Sequence, residues 1–115
     1  YRYVGRLSKA ERRAWGYAGV WQINTVPAND DHPAMFPLEL PERCIKLHSD
    51  PGGTVVEPFS GSGTTLIACE RLQRRCVAIE KQPRYAAVAL ERWATFTGQT
   101  PSLVKDAPET GKTTA

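Results

Sequence analysis

Apolar positions along the chain change period several times, and each change marks an element. Thr54 to Glu57 is a short apolar run rich in β-branched residues, which predicts a strand. Thr64 to Gln73 shifts to helical spacing, with Ala68, Cys69 and Leu72 on the expected inner face. Cys76 to Glu80, "CVAIE", returns to a strand-like run of the buried type. Pro83 then opens a helix to about Phe96, in which Tyr85, Ala89, Trp93 and Phe96 recur at steps of four, four and three. Gly98 supplies its stop signal. "SLV", Ser102 to Val104, has the composition of one more short strand, and the polar tail from Asp106 predicts disorder.

Upstream, the pattern is looser. Ser8 and Glu11 have the spacing of a capping box, which predicts a short helix from Lys9 to Trp15. Gly19 to Val26 reads as extended. Pro33, Pro37 and Pro41 keep the next stretch in loops, until Pro41 can occupy the first turn of a helix ending at His48. Leu40, Cys44 and Leu47 are its expected inner face, and Ser49 to Gly53 is a turn cluster.

Strand, helix and strand across 54–80 imply a parallel pair joined by a right-handed crossover. The predicted class is α/β, with a partial Rossmann-like parallel β-α-β core and an incomplete sheet. Such a half-sheet exposes an apolar edge that further strands would cover. Ligands of these sheets bind beyond the carboxyl ends of the strands. There the sequence places a glycine loop, "EPFSGSGTT" from Glu57, and at the end of the second strand Glu80.

Composition narrows this little. The chain has 115 residues, 41% hydrophobic and 23% charged, enough for one modest core. No apolar run approaches the roughly 20 residues of a membrane helix, and no signal peptide is recognisable. A first residue of Tyr1 suggests a piece of a longer protein. The net charge is +3, and Arg2, Arg6, Lys9, Arg12 and Arg13 oppose only Glu11 near the start. This cluster suits either a nucleic-acid backbone or a solvated helix face. Cys44, Cys69 and Cys76 have no C-x-x-C spacing and no His pair, so neither a zinc site nor a disulfide framework is expected. Free thiols suit the reducing cytoplasm, with Cys69 and Cys76 as small core residues.

The loop chemistry is more selective. A P-loop needs a lysine to neutralise phosphates, and Gly61 to Thr65 has none. Gly111-Lys112-Thr113 imitates its end, but the required first glycine falls at Asp106. A dinucleotide fingerprint needs a third glycine for close helix packing, and Leu66 stands there. Glu80 lies nineteen residues after Gly61, where a carboxylate can accept from both ribose hydroxyls; beside Lys81 it could also serve only the next helix start. A glycine loop with an acid fits an adenosine-like ligand. The missing lysine and third glycine, and the second acid at Glu57, favour one with an ammonium-bearing arm over a phosphate chain. S-adenosylmethionine meets both conditions, while a nicotinamide dehydrogenase stays open as another reading.

The segment "EPFSGSGTTLIACERLQRRCVAIEKQPRYAAVALER" resembles the cofactor-binding part of DNA amino-methyltransferases, which methylate adenine N6 or cytosine N4. Their loop reads D-P-F-x-G-S-G-T-T, with Glu57 here in place of Asp. His32-Pro33-Ala34-Met35-Phe36-Pro37 with Leu40 is similar to the motif preceding the loop in permuted members. The resemblance covers residues 32–92, about half of the chain. It implies that Gly61, Ser62, Gly63, Thr64 and Thr65 line the methionine arm, Phe59 shapes the loop and Glu80 holds the ribose. Phe36 and Pro37 would close over the cofactor with His32 setting their loop, although Phe36 beside Leu40 also suits core packing. Tyr85, Arg92 and Trp93 read as helix packing and surface.

The family's catalytic motif, D/N/S-P-P-aromatic, holds the target amine of a flipped base. This sequence contains no Pro-Pro pair. The resemblance therefore implies the S-adenosylmethionine-binding portion of a site-specific enzyme of restriction–modification, acting on double-stranded DNA. Its catalytic half would lie on the same or another chain, and this piece alone would be inactive. The implied organisation is 1–31 as the end of an upstream target-recognition region, 32–105 as the binding segment and 106–115 as tail. A non-catalytic or split module that needs a partner chain is the alternative.

Overall fold

The computed structural model describes residues 7–15, 20–27 and 35–105. His32, Arg2, Arg6 and the tail 106–115 lie outside them. The elements run α1 (Lys9–Trp15), α2 (Glu39–His48), β1 (Thr54–Glu57), α3 (Thr64–Arg71), β2 (Arg75–Ala78) and α4 (Pro83–Thr97). β1 and β2 pair in parallel, Thr54 opposite Arg75 and Glu57 opposite Ala78, with α3 as the connection. The expected β-α-β unit is therefore present, in a two-stranded sheet.

Turn chemistry sets the register. Gly52 adopts φ +80 and donates its N–H to the Gln73 carbonyl at 2.7 Å. The Arg75 N–H then bonds to the Gly53 carbonyl at 2.9 Å, so the two strands enter the sheet side by side. Arg74 is buried, and it ties this end to α2. Its guanidinium donates to the Ser49 hydroxyl (3.1 Å), the Ser49 carbonyl (2.8 Å) and the Leu72 carbonyl (2.6 Å).

The core is small. Ile45, Ala68 and Cys69 form its centre, with Leu38, Val55, Leu72 and Cys76 packed around them. Val55 and Cys76 are register partners and so share one face of the sheet. The next pair, Val56 and Val77, faces the other way and is 64% and 52% exposed, as is Ile79 at 57%. The apolar "CVAIE" run is thus not a buried strand. The regular strand runs from Arg75 to Ala78, and among the described residues one of its faces has no covering layer.

Three further expectations change. On α2, Pro41 and Ile45 are buried, while Cys44 is exposed and Leu40 partly so. The helix is turned by one position, about 100°, because Ile45 is the branched side chain that fills the space against α3. Both stripes are apolar at helical spacing, so periodicity alone does not separate them. Along α4 only Ala89 is buried, and Phe96 is half-exposed. Ser102 to Val104 forms no strand: Leu103 and Val104 are nearly fully exposed, and no described strand edge is beside them to supply a ladder.

The capping box forms. The Ser8 N–H donates to the Glu11 carboxylate at 2.7 Å and the Glu11 N–H to the Ser8 hydroxyl at 3.1 Å. α1 then docks on α2 through Glu11 and Lys46, and through Arg43, whose guanidinium lies 5.5 and 5.4 Å from the Trp15 and Trp21 rings. Arg43 is buried, which a charged position on an amphipathic helix does not suggest; the two indoles and Glu39 surround it. Among the described residues no helix is long and apolar enough to cross a membrane.

Gly63 precedes α3 at φ +83, and a Cβ there would stand 2.7 Å from the Ala89 Cβ of α4. Gly61 has φ +54 but open space around a Cβ. Gly63→Ala should therefore destabilise the chain by about 2–5 kcal/mol, the sum of overpacking and left-handed strain, and Gly61→Ala by about 1–2 kcal/mol from strain alone. Urea unfolding of both variants measures this; equal losses would show that the α4 contact does not limit position 63.

Lys46 above all, with donors from Ser8, holds the Glu11 carboxyl below its ordinary range. A depressed carboxyl contributes stability above its unfolded pKa and loses it as pH falls through the lowered folded value. Fluorescence of Trp15 and Trp21 should therefore report α1 loosening on the acid side, and Glu11→Gln should remove that limb. An unchanged acid limb in the variant would assign it to other carboxylates.

Candidate functional site

The carboxyl ends of β1 and β2 lie together, and the ladder continues beyond them. The Ile79 N–H donates to the Glu57 carbonyl at 2.9 Å, and the Ser60 N–H to the Ile79 carbonyl at 3.0 Å. This extension carries the loop between β1 and α3 over the end of β2, where Glu80 meets it.

Glu80 accepts the Gly61 N–H on Oε2 at 2.7 Å and the Gln82 N–H on Oε1 at 2.8 Å. A carboxylate offers about four lone-pair positions, roughly two per oxygen. Two backbone donors therefore orient the group and leave acceptor capacity on each oxygen. Glu57 is bound differently. Its Oε1 accepts the Phe59 N–H at 2.9 Å and its Oε2 accepts the Thr65 hydroxyl at 3.0 Å, so β1 braces both ends of the loop.

The turn itself depends on two left-handed glycines, Gly61 and Gly63. The Gly63 N–H closes on the Ser60 carbonyl at 3.0 Å, and the Gly63 carbonyl accepts the Ile67 N–H at 3.1 Å to start α3. The early amides of a helix have no intrahelical acceptor and suit an acceptor group of a ligand. Ser60 is buried, with its hydroxyl lacking a hydrogen-bond partner among the described residues.

Thr64 and Thr65 are both buried, and their hydroxyls are engaged inside the protein: Thr65 with Glu57, and Thr64 with Arg92 at 3.3 Å. Phe59 is 86% exposed on the loop. Phe36 is partly exposed, and the Pro37 carbonyl accepts the Leu40 N–H at 3.1 Å to turn the chain into α2. Among the described residues no hydrogen bond joins Phe36 or Pro37 to the loop. The structure thus gathers Glu57, Ser62, Gly63, Thr64, Thr65, Gly61 and Glu80 into one bonded loop.

Arg92 belongs to this group too, although by sequence it reads only as helix packing and surface. From α4 its Nη1 donates to the Ser62 carbonyl at 2.8 Å and the Ser62 hydroxyl at 3.1 Å. Thirty positions separate the partners, so no local spacing signals the contact. Burial lowers the Arg92 pKa from its ordinary value, and the guanidinium stays charged at neutral pH.

Among the described residues no three His, Cys, Asp or Glu side chains converge as a metal site. The cation nearest the loop, Arg92, is spent on its backbone. A loop with no free lysine and with carboxylates at both strand ends suits hydroxyl and ammonium donors better than a phosphate chain.

The chain is 45% identical over 91 residues to the type II methyltransferase M.BglI of Bacillus subtilis, covering 79% of this chain and 26% of that protein. It is 44% identical over 87 residues to M.SmaI of Serratia marcescens, covering 76% and 28%. Among solved structures it superposes with a TM-score of 0.64 and 41% identity on TTHA0409 of Thermus thermophilus, a proposed DNA modification methylase complexed with S-adenosyl-L-methionine. That match covers 79% of this chain and 35% of the other. The chain thus spans about a quarter of the curated relatives' length and about a third of the structural one's. The likeness also identifies the β-α-β unit as part of a Rossmann-like methyltransferase fold. A family model described as DNA methylase matches residues 4–91, most of the sequence, and the chain belongs to that family.

Proposed function

We propose that the chain is the S-adenosylmethionine-binding portion of a DNA methyltransferase that modifies an exocyclic amino group of adenine or cytosine. The observation that carries this reading is Glu80: a strand-end carboxylate, oriented by the Gly61 and Gln82 amides, with acceptor capacity left on both oxygens. A vicinal pair of ribose hydroxyls matches that capacity. The residues present fit the remainder of the ligand. Gly61 has open space where a side chain would stand, and the Ser60 hydroxyl is buried without a described partner.

In this reading Gly61, Ser62 and Gly63 line the methionine arm with backbone, and Thr64 and Thr65 hold the loop's shape from behind. Glu57 adds negative charge near the ammonium while bracing the loop. Phe59 offers an exposed aromatic surface at the cofactor, and Phe36 and Pro37 close over it, with His32 setting their loop. Bound there, S-adenosylmethionine supplies a methyl group on a sulfonium, open to direct attack by an amine. The chain's own part is to orient the ligand and keep it fixed during that attack.

The sequence has no Pro-Pro pair for gripping the target amine, so the catalytic half is assigned elsewhere, on the same or another chain, in the permuted order. The bare sheet face of Val56, Val77 and Ile79 supports this, because a complete α/β sheet buries both faces. Residues 32–105 are then the binding segment and 106–115 its tail. Residues 1–31 end the region that reads double-stranded DNA, with α1 resting on α2. The proposed place of work is the cytoplasm, with restriction–modification as the setting that the type II relatives suggest. The bare face equally suits the alternative, a split module completed by a partner chain.

Calorimetry should show binding of S-adenosylmethionine and none of NAD. Glu80→Ala should weaken that binding by about 1.5–3 kcal/mol, roughly ten- to a hundredfold. Preference for NAD would turn the site into a dinucleotide site and sink the proposal. The 115 residues alone should transfer no labelled methyl group to duplex DNA; transfer by the isolated chain would refute the division of labour.

A further inference from the structure

We propose that Arg92 is a positioning residue: from α4 it fixes the Ser62–Gly63 peptide of the loop in the orientation the ligand's arm requires. The inference rests on the binding reading above and deepens it. One peptide unit contributes the Ser62 carbonyl and the Gly63 N–H. The carbonyl accepts from Arg92 Nη1 at 2.8 Å and the N–H donates to the Ser60 carbonyl at 3.0 Å, so both polar ends of that plane are held.

The same nitrogen reaches the Ser62 and Thr64 hydroxyls, at 3.1 and 3.3 Å, and so spans the turn from its apex to the start of α3. The contact is costly, because burial depresses the Arg92 pKa and the described residues give it no carboxylate ion pair. A surface guanidinium turned to solvent would avoid that cost. What it obtains instead is one conformation of a turn whose two glycines, at φ +54 and +83, would otherwise have wide freedom.

Gly63 adds a second constraint at the same place. Its Cα side abuts Ala89, one turn before Arg92 on α4. Ala89 therefore holds the loop sterically and Arg92 holds it by hydrogen bonds, so α4 acts as a rigid backing for the ligand loop. Glu80, at the end of β2, bonds the other side of the turn at Gly61. The two contacts divide the ligand: the arm depends on the Ser62–Gly63 peptide, and the ribose depends on Glu80.

That division is testable with two ligands. 5′-Methylthioadenosine keeps the nucleoside and lacks the amino-acid end of the arm. Arg92→Ala should weaken S-adenosylmethionine at least about tenfold while changing 5′-methylthioadenosine less than about threefold, because only the former uses the preorganised peptide. Arg92→Lys should recover part of the loss, since an ammonium keeps the charge and N–H donors but sits on a shorter stem than the Nη1 that makes all three contacts. Equal weakening of both ligands would reduce Arg92 to general stability and overturn the proposal.

A ligand-free measurement separates this from the binding reading. In Arg92→Ala, amide exchange at Gly63 should accelerate about tenfold or more, with Ile79, bonded to the Glu57 carbonyl, unchanged. Unchanged exchange at Gly63 overturns the positioning role, whatever the chain binds. Should the native chain bind neither ligand, the binding reading fails and the claim about the arm with it.

Discussion

Two parallel strands cannot be joined by a tight turn, and this constraint organises the molecule. The chain must leave β1 at its carboxyl end, return along α3, and re-enter beside its own start. Both strands then end at the same edge, so the loop after β1 and the acid after β2 are neighbours although nineteen positions separate Gly61 from Glu80. The ladder continues past the strands through Ile79 and Ser60, which seats the loop directly on that acid.

Once seated, the loop is braced from three elements. Glu57 holds it from β1, Glu80 from β2 and Arg92 from α4. Backbone in a turn with two left-handed glycines has few hydrogen bonds of its own, and the side chains supply them. The Thr64 and Thr65 hydroxyls are used for this bracing. The ligand-facing surface that is left is largely backbone, with the spare acceptor capacity of Glu80. Such a surface suits hydroxyl, amine and carboxylate groups, and the loop itself carries no lysine for a phosphate.

Opposite the core, one face of the sheet is exposed among the described residues. Val55 and Cys76 meet a compact cluster under α2 and α3, while Val56, Val77 and Ile79 meet no described residue that buries them. Parallel sheets are ordinarily covered on both faces. The match to the curated relatives likewise spans about a quarter of their length. Arg43 lies between Trp15 and Trp21, so a cation and two indoles pack where α1 meets α2.

The sequence by itself determined the α/β class, the order of β1, α3, β2 and α4, the Ser8–Glu11 capping box and the terminal Gly98. Each depends on neighbours within a few residues, where period and backbone preference act alone. It also marked the glycine loop and Glu80 as one site, because the crossover rule converts spacing into proximity. Only the tertiary structure decided which stripe of α2 is buried, since Leu40–Cys44 and Pro41–Ile45 have the same spacing and α3 chooses between them. Only it showed "CVAIE" exposed on one face, because burial depends on layers that a strand pattern does not contain. The brace from Arg92 was invisible for the same reason: thirty positions separate it from Ser62, and nothing but the packing of α4 on α3 brings them together.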